Sequence, residues 1–173
     1  MWWKNKQKSA TLSEREIYET FAHKMMRVCL RYLPIKEDAE ECLQNGFLKI
    51  FQNMKNFVPN ESYSFDAWVR KIMVNECLMM LRQQNKFQNV ELDKIQNQIY
   101  TEYHSTDDEE YYLNLIKSLP TGYRTVFNLC AIEGYTHKEI SEMLEITEST
   151  SRSQLTHARK WLKEEIEKRT MYA

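Results

Sequence analysis

Thr136-His-Lys-Glu-Ile-Ser-Glu-Met-Leu144, then Glu145-Ile-Thr147, then Glu148-Ser-Thr-Ser-Arg-Ser-Gln-Leu-Thr-His-Ala-Arg-Lys-Trp-Leu162 is the stretch that decides how this chain is read. Thr136 and Glu139 have the spacing of a capping box, which opens a short helix to Leu144. A three-residue turn follows, and Thr147 can cap a second helix running to about Lys168. A short capped helix, a tight turn and a longer helix form a helix-turn-helix. Ile140, Leu144, Ile146, Leu155, Ala158 and Leu162 close its small core. With Leu155 inward and about 100° per residue, Ser151, Ala158 and Leu162 share the buried side. Ser149, Ser153, Thr156, His157 and Lys160 fall opposite, flanked by Thr150 and Arg152. That outward face is small, polar and near a helix N-terminus. A major-groove reader needs short side chains for close approach, arginine for guanine and hydroxyls for phosphate. Glu145 stands at the first turn position, where such turns usually carry glycine. A non-glycine residue at positive φ there costs on the order of 1 kcal/mol, so the turn is expected to be either slightly strained or shaped differently.

The rest of the chain supports an all-α fold of two small helical domains joined by an acidic linker. Its 173 residues include 3 Gly and 3 Pro, about 3% where an average chain has about 12%. So little turn chemistry argues against a sandwich or barrel. The formal net charge of −1 taken alone argues against a strongly basic nucleic-acid binder, but its distribution is uneven. Residues 1–15 form a basic arm with four basic residues and one acidic residue. Residues 16–86 and 111–173, the two domains, are each close to balanced. Residues 87–110 carry one basic and seven acidic residues, and this −6 segment reads as the linker. Within it, Leu92, Ile95 and Ile99 suit one short amphipathic turn.

In the first domain, Ser13 with Glu16 predicts a capping box and a helix to Leu33, with Ile17, Phe21, Met25, Val28 and Leu33 inward, stopped by Pro34. Lys36 to about Met54 is a second helix, with Ala39, Leu43, Phe47, Ile50 and Phe51 on the 3.6 period. Its first turn collects carboxylates that suit the helix dipole. Residues 55–64 form a loop. Phe65 to about Arg82 is a third helix, its stripe formed by Phe65, Trp68, Val69, Ile72, Leu78 and Leu81. In the second domain, Tyr111 to Leu119 is a helix stopped by Pro120, and Thr121 to Glu133 is another, capped by Gly134.

Other functions find little support. The longest apolar run, Cys77 to Leu81, is far short of the about 20 residues a membrane helix needs. The N-terminus lacks the apolar core of a secretory signal, so a cytoplasmic location is expected. Cys29, Cys42, Cys77 and Cys130 never form a CxxC pair, and the four histidines are scattered, so the thiols read as packing residues and no metal or cofactor is expected. With no phosphate loop and no nucleophile–base arrangement, an enzyme is not expected.

Five stretches carry a resemblance. Tyr123-Arg-Thr-Val-Phe-Asn-Leu129, Glu133 to Leu144, and Thr150 to Arg159 resemble the promoter-reading domain (region 4) of extracytoplasmic-function sigma factors, small specificity subunits of bacterial RNA polymerase. Asp38-Ala-Glu-Glu-Cys-Leu-Gln-Asn-Gly-Phe-Leu-Lys-Ile-Phe51 resembles the family's polymerase-binding helix. Phe65-Asp-Ala-Trp-Val-Arg-Lys-Ile-Met-Val-Asn75, closing on Leu81-Arg82, resembles its promoter-melting helix; both belong to region 2. The chain departs from common family residues at Asn45-Gly46, Met79 and Glu145.

The resemblance implies a sigma factor that binds core RNA polymerase and promoter DNA, with an anti-sigma protein as a further partner. Asp38, Glu40, Glu41 and Gln44 would face the polymerase. Lys49, Arg70, Lys71 and Arg82 would hold phosphates of the −10 element. Asn56, Phe57, Asn60 and Tyr63 would supply a pocket for an unstacked base, a step costing a few kcal/mol. Trp68, on the apolar stripe, is expected in the core rather than as a base platform. Ser149, Thr150, Arg152, Ser153, Thr156 and His157 would read the −35 element, with Arg159 and Lys160 gripping phosphate. The acidic linker would thread toward the polymerase cleft. The main alternative is a self-sufficient helix-turn-helix regulator, which would bind alone as a dimer on two half-sites.

Overall fold

The computed structural model describes residues 13–58, 64–84 and 108–172. Among these residues every regular element is helical, and the chain divides into two compact units, Met1–Met80 and Leu81–Ala173. The division falls in the last turn of a helix.

The first unit is built on α1 (Glu14–Tyr32), α2 (Lys36–Asn53) and α3 (Phe65–Gln83). The Ser13–Glu16 capping box forms as expected, with the Glu16 carboxylate accepting from the Ser13 amide at 2.8 Å. Ile17, Met25, Val28 and Leu33 are buried, as are Ala39, Leu43, Phe47 and Ile50 of α2. Phe21 and Phe51 are half-buried. The buried face of α3 is wider than its predicted stripe and adds Met73, Val74, Cys77 and Met80. Gly46 of α2 sits against a side chain of α3. A Cβ there would meet Met73 Sδ at 2.6 Å, so the missing side chain leaves room for the flexible end of Met73. Lys24 of α1 pairs with Asp66 of α3 at 2.6 Å. A 3-10 turn, Met54–Asn56, extends α2.

The second unit contains α4 (Asp108–Ser118), α5 (Thr121–Phe127), α6 (His137–Leu144) and α7 (Glu148–Tyr172). α4 begins three residues earlier than expected. Asp108, Glu109 and Glu110 form its first turn, where carboxylates meet the positive end of the dipole. The helix predicted from Thr121 to Glu133 changes character midway. α5 passes into a π-helical turn, Asn128–Ile132. Gly134 follows at φ +81°, and the Tyr135 amide returns to Leu129 O at 2.9 Å. α7 runs about one turn beyond the expected end. Arg169 near its end lies 3.9 Å above the Tyr111 ring and 3.5 Å from the Asp108 carboxylate. These contacts help hold α7 on α4.

Arg124 is the main buried charge of this unit. Its guanidinium donates to Leu119 O at 2.6 Å and Lys117 O at 3.1 Å, carbonyls at the end of α4, and to Thr121 Oγ1 at 3.3 Å. Burial lowers it to about 10, which leaves it charged at neutral pH.

Candidate nucleic-acid interface

The helix-turn-helix forms as its sequence dictates. Thr136 Oγ1 accepts from the Glu139 amide at 3.3 Å, and the Glu139 carboxylate accepts from the Thr136 amide at 2.8 Å and hydroxyl at 2.7 Å. The Thr136 hydroxyl holds the Glu139 carboxyl below the ordinary glutamate range. A depressed carboxyl contributes helix stability that is present above its ordinary range and lost as pH falls through the folded value. Acidification is therefore expected to loosen α6 earlier than in a Glu139→Gln variant relative to its own neutral-pH state, read by amide hydrogen exchange along α6.

Glu145 adopts φ 56° and ψ 40°, the left-handed conformation, so the turn keeps its shape and carries the strain. The Ile146 amide then donates to Ser141 O at 3.1 Å, closing the end of α6. Glu145→Gly should raise stability by about 0.5–1 kcal/mol, because glycine takes this conformation without the Cβ penalty. A denaturant midpoint comparison at fixed slope measures it.

Thr147 Oγ1 accepts from the Thr150 amide at 3.0 Å and starts α7. Ser151, Leu155 and Ala158 are buried, and Leu162 is half-buried. Ser151 Oγ meets His137 Nδ1 at 2.8 Å, which ties α7 to the first turn of α6. Ser149, Thr150, Arg152, Ser153, Thr156, His157, Arg159 and Lys160 are all exposed. Arg152 lies along the helix against Glu148 at 2.5 Å. An exposed pair of this kind is worth at most about 1 kcal/mol, so a better partner can take the guanidinium. The His157 ring stacks on Tyr123 of α5, centroids 5.5 Å apart and planes 13° from parallel. Tyr123 thus orients His157, a support the sequence reading did not assign.

Helices α2 and α3 each present a face, and the end of α3 from Leu81 belongs to the second unit. Along α3, Lys71, Asn75 and Arg82 are exposed, with Met79 half-exposed between them. Spacings of three and four residues place them in one row. Arg70 is half-buried beside it. Asn75 belongs to this row although its motif position suggested no role for it. Lys49, expected at phosphate, has a protein partner in this structure. Its ammonium pairs with the carboxylate of Glu76, which is 3% exposed, and lies 3.8 Å from Met79 Sδ. A buried carboxylate needs a cation, and Lys49 supplies it for Glu76. Of the loop residues, Asn56 is exposed and Phe57 half-buried, while Asn60 and Tyr63 lie outside the described residues, as do Leu92, Ile95 and Ile99. Phe57 packs on Trp68 at 5.1 Å and on Phe65 at 5.3 Å. Trp68 is half-buried in this aromatic group rather than in the core.

On α2, Glu40, Glu41 and Gln44 are exposed and Asp38 is half-buried. Leu48 follows Gln44 by one turn and is 57% exposed, an apolar residue at the end of an acidic row. Its signal in the sequence was its place off the inward stripe.

Comparison with known proteins fits this layout. The "Sigma-70 region 2" family matches residues 17–87, and the "Sigma-70, region 4" family matches residues 109–162. The chain is 26% identical over 160 residues to the ECF RNA polymerase sigma factor SigE of Mycolicibacterium smegmatis, covering 88% of this chain and 61% of that protein. It is 24% identical over 152 residues to the ECF RNA polymerase sigma factor SigM of Bacillus subtilis, covering 86% of this chain and 91% of that one. The fold is similar to that of the sigma factor RpoE from Bartonella quintana, solved in complex with the anti-sigma factor NepR. The TM-score is 0.54 at 16% identity, over 88% of this chain and 96% of that one.

Proposed function

Because the chain belongs to the extracytoplasmic-function sigma factors, carrying sigma-70 regions 2 and 4 in that order, we propose that it binds core RNA polymerase, directs it to specific promoters and helps melt the DNA to start transcription. The observation that carries this reading is the capped α7 with eight exposed polar residues at positions suited to a major groove. Arg152 reads guanine at the −35 element, Ser149, Thr150, Ser153, Thr156 and His157 complete the contact, and Arg159 and Lys160 hold phosphate. The α3 row of Lys71, Asn75 and Arg82, with Arg70, takes the −10 region. Asn56 and Phe57, backed by Trp68, begin the base pocket that Asn60 and Tyr63 complete. Asp38, Glu40, Glu41 and Gln44, with Leu48, face the polymerase. An apolar residue with a polar rim suits a protein contact.

The −6 segment suits a cationic channel built for RNA and is displaced as the transcript grows. The protein acts in the cytoplasm and has no chemistry of its own. An anti-sigma protein, of the kind bound to RpoE in Bartonella quintana, holds it inactive.

Gel shifts with and without core polymerase test this reading. A sequence-specific complex should form only when core is present. Tight specific binding by the chain alone, as a dimer on paired half-sites, would instead establish a self-sufficient regulator.

A further inference from the structure

The three helices of the first unit bring together side chains that the sequence keeps far apart. Cys29 of α1, Cys42 of α2 and Cys77 of α3 have their Sγ atoms all within 4.8 Å of one another. Cys42 Sγ lies 3.4 Å from Cys77 Sγ. Each of the three is 0% exposed, and all are free thiols. Sequence spacing searches for two ligands on one turn. Here each helix supplies one, so no such spacing exists to find.

We propose that Cys29, Cys42 and Cys77 form a three-coordinate thiolate site for a thiophilic d10 metal ion of the Cu(I) kind. Three sulfurs around an ion at metal–sulfur distances of about 2.3 Å lie about 4.0 Å apart. The observed separations, from 3.4 Å to at most 4.8 Å, bracket that value. Sulfur shifts of under about 1 Å close the site. Soft thiolates select copper(I) and zinc among the first-row metals, whereas structural zinc takes four ligands. Among the described residues no fourth histidine, cysteine or carboxylate joins the group. Full burial on three sides of a helical core also favours an ion content with three donors.

The three thiols interact with one another in the buried core. Hydrogen bonds from Cys42 and Cys77 lower Cys29, while the bond to Cys29 raises Cys42, and burial raises Cys77. Binding forms three metal–sulfur bonds, breaks three S–H bonds and releases the protons to solvent, with no change of oxidation state, so affinity rises with pH. A bound ion would staple α1, α2 and α3 together. It would thereby link thiophilic metal to the stability of the helices that carry the α2 and α3 faces. The site is independent of the promoter reading, and its test needs neither polymerase nor DNA.

The test is an anaerobic titration of the reduced full-length chain with Cu(I) buffered by a competing chelator, with Zn(II) in a parallel arm. One Cu(I) per chain is expected, with thiolate-to-metal absorption and a raised melting temperature. Cys130→Ala should keep the stoichiometry, and Cys29→Ala, Cys42→Ala and Cys77→Ala should each weaken binding at least 100-fold while retaining helicity. X-ray absorption of the loaded wild-type chain makes the proposal testable even if a variant does not fold. It should find three sulfurs at about 2.3 Å. Absence of Cu(I) uptake, tighter binding of Zn(II), loss of binding in Cys130→Ala, or a ligand shell of nitrogen and oxygen would overturn it.

Discussion

Lys49→Met is expected to lower the stability of the chain by about 3 kcal/mol, the largest effect of any single exposed-cation substitution in the first unit. The reason lies with its partner. Glu76 is 3% exposed, and Lys49 from α2 supplies the cation that pairs with it across to α3. Removing one member of a buried pair leaves a charge in a medium that solvates it poorly, which costs about 3–5 kcal/mol. The half-exposed Lys49 places this case at the low end. Replacing both members removes the charge altogether, so Lys49→Met with Glu76→Leu should recover most of the loss. Urea denaturation of the single and double variants measures both. If Lys49→Met left stability unchanged yet abolished promoter binding, Lys49 would be a phosphate ligand after all.

Arg152→Ala should weaken −35 recognition about ten- to a hundred-fold, since a bidentate arginine–guanine contact discriminates by about 1–3 kcal/mol. The loss should be confined to promoters with the preferred base at one −35 position, so that variants at that position become nearly equivalent. Lys160→Ala gives the contrast. As a phosphate contact it should weaken all promoters alike and reduce the salt dependence of binding. Holoenzyme binding to a panel of −35 variants at two salt concentrations separates the two behaviours. Unchanged sequence preference in Arg152→Ala would remove that residue from base reading. Glu148 is the internal check. It pairs with Arg152 at 2.5 Å, so Glu148→Gln should leave preference intact.

These two predictions mark where sequence reading succeeds and where it stops. The face containing Arg152 was legible because it depends on local rules. Capping boxes span three residues and helix faces repeat every 3.6, and both the Ser13–Glu16 and Thr136–Glu139 boxes form. The shape of the turn at Glu145 was not decided by those rules, and the structure gives it positive φ. The all-α class followed from the same local signals. Glu76 was not legible. Its burial and its pairing with Lys49 depend on how α2 crosses α3, and no pattern within either helix encodes that crossing. The cysteine triad was missed for the same reason, since each helix looks ordinary alone. The π-helical turn at Asn128–Ile132 keeps helical periodicity approximately, so periodicity did not reveal it. Leu48 and Asn75 were left out because a search for inward apolar positions and outward charges passes over an outward leucine and an outward amide.

The net charge of −1 shows the same limit in another form. As a total it argues against nucleic-acid binding. Its distribution separates a basic arm, two balanced domains and a strongly acidic segment, and a subunit that acts through polymerase need not carry all the DNA affinity itself.

The most direct measurement is transcription in vitro by core RNA polymerase on a fragment library of the source genome, with start sites mapped in the presence and absence of this chain. The account predicts a discrete set of new start sites sharing a −35 and a −10 element, lost when the chain is omitted. Start sites identical to those of core polymerase alone would contradict it.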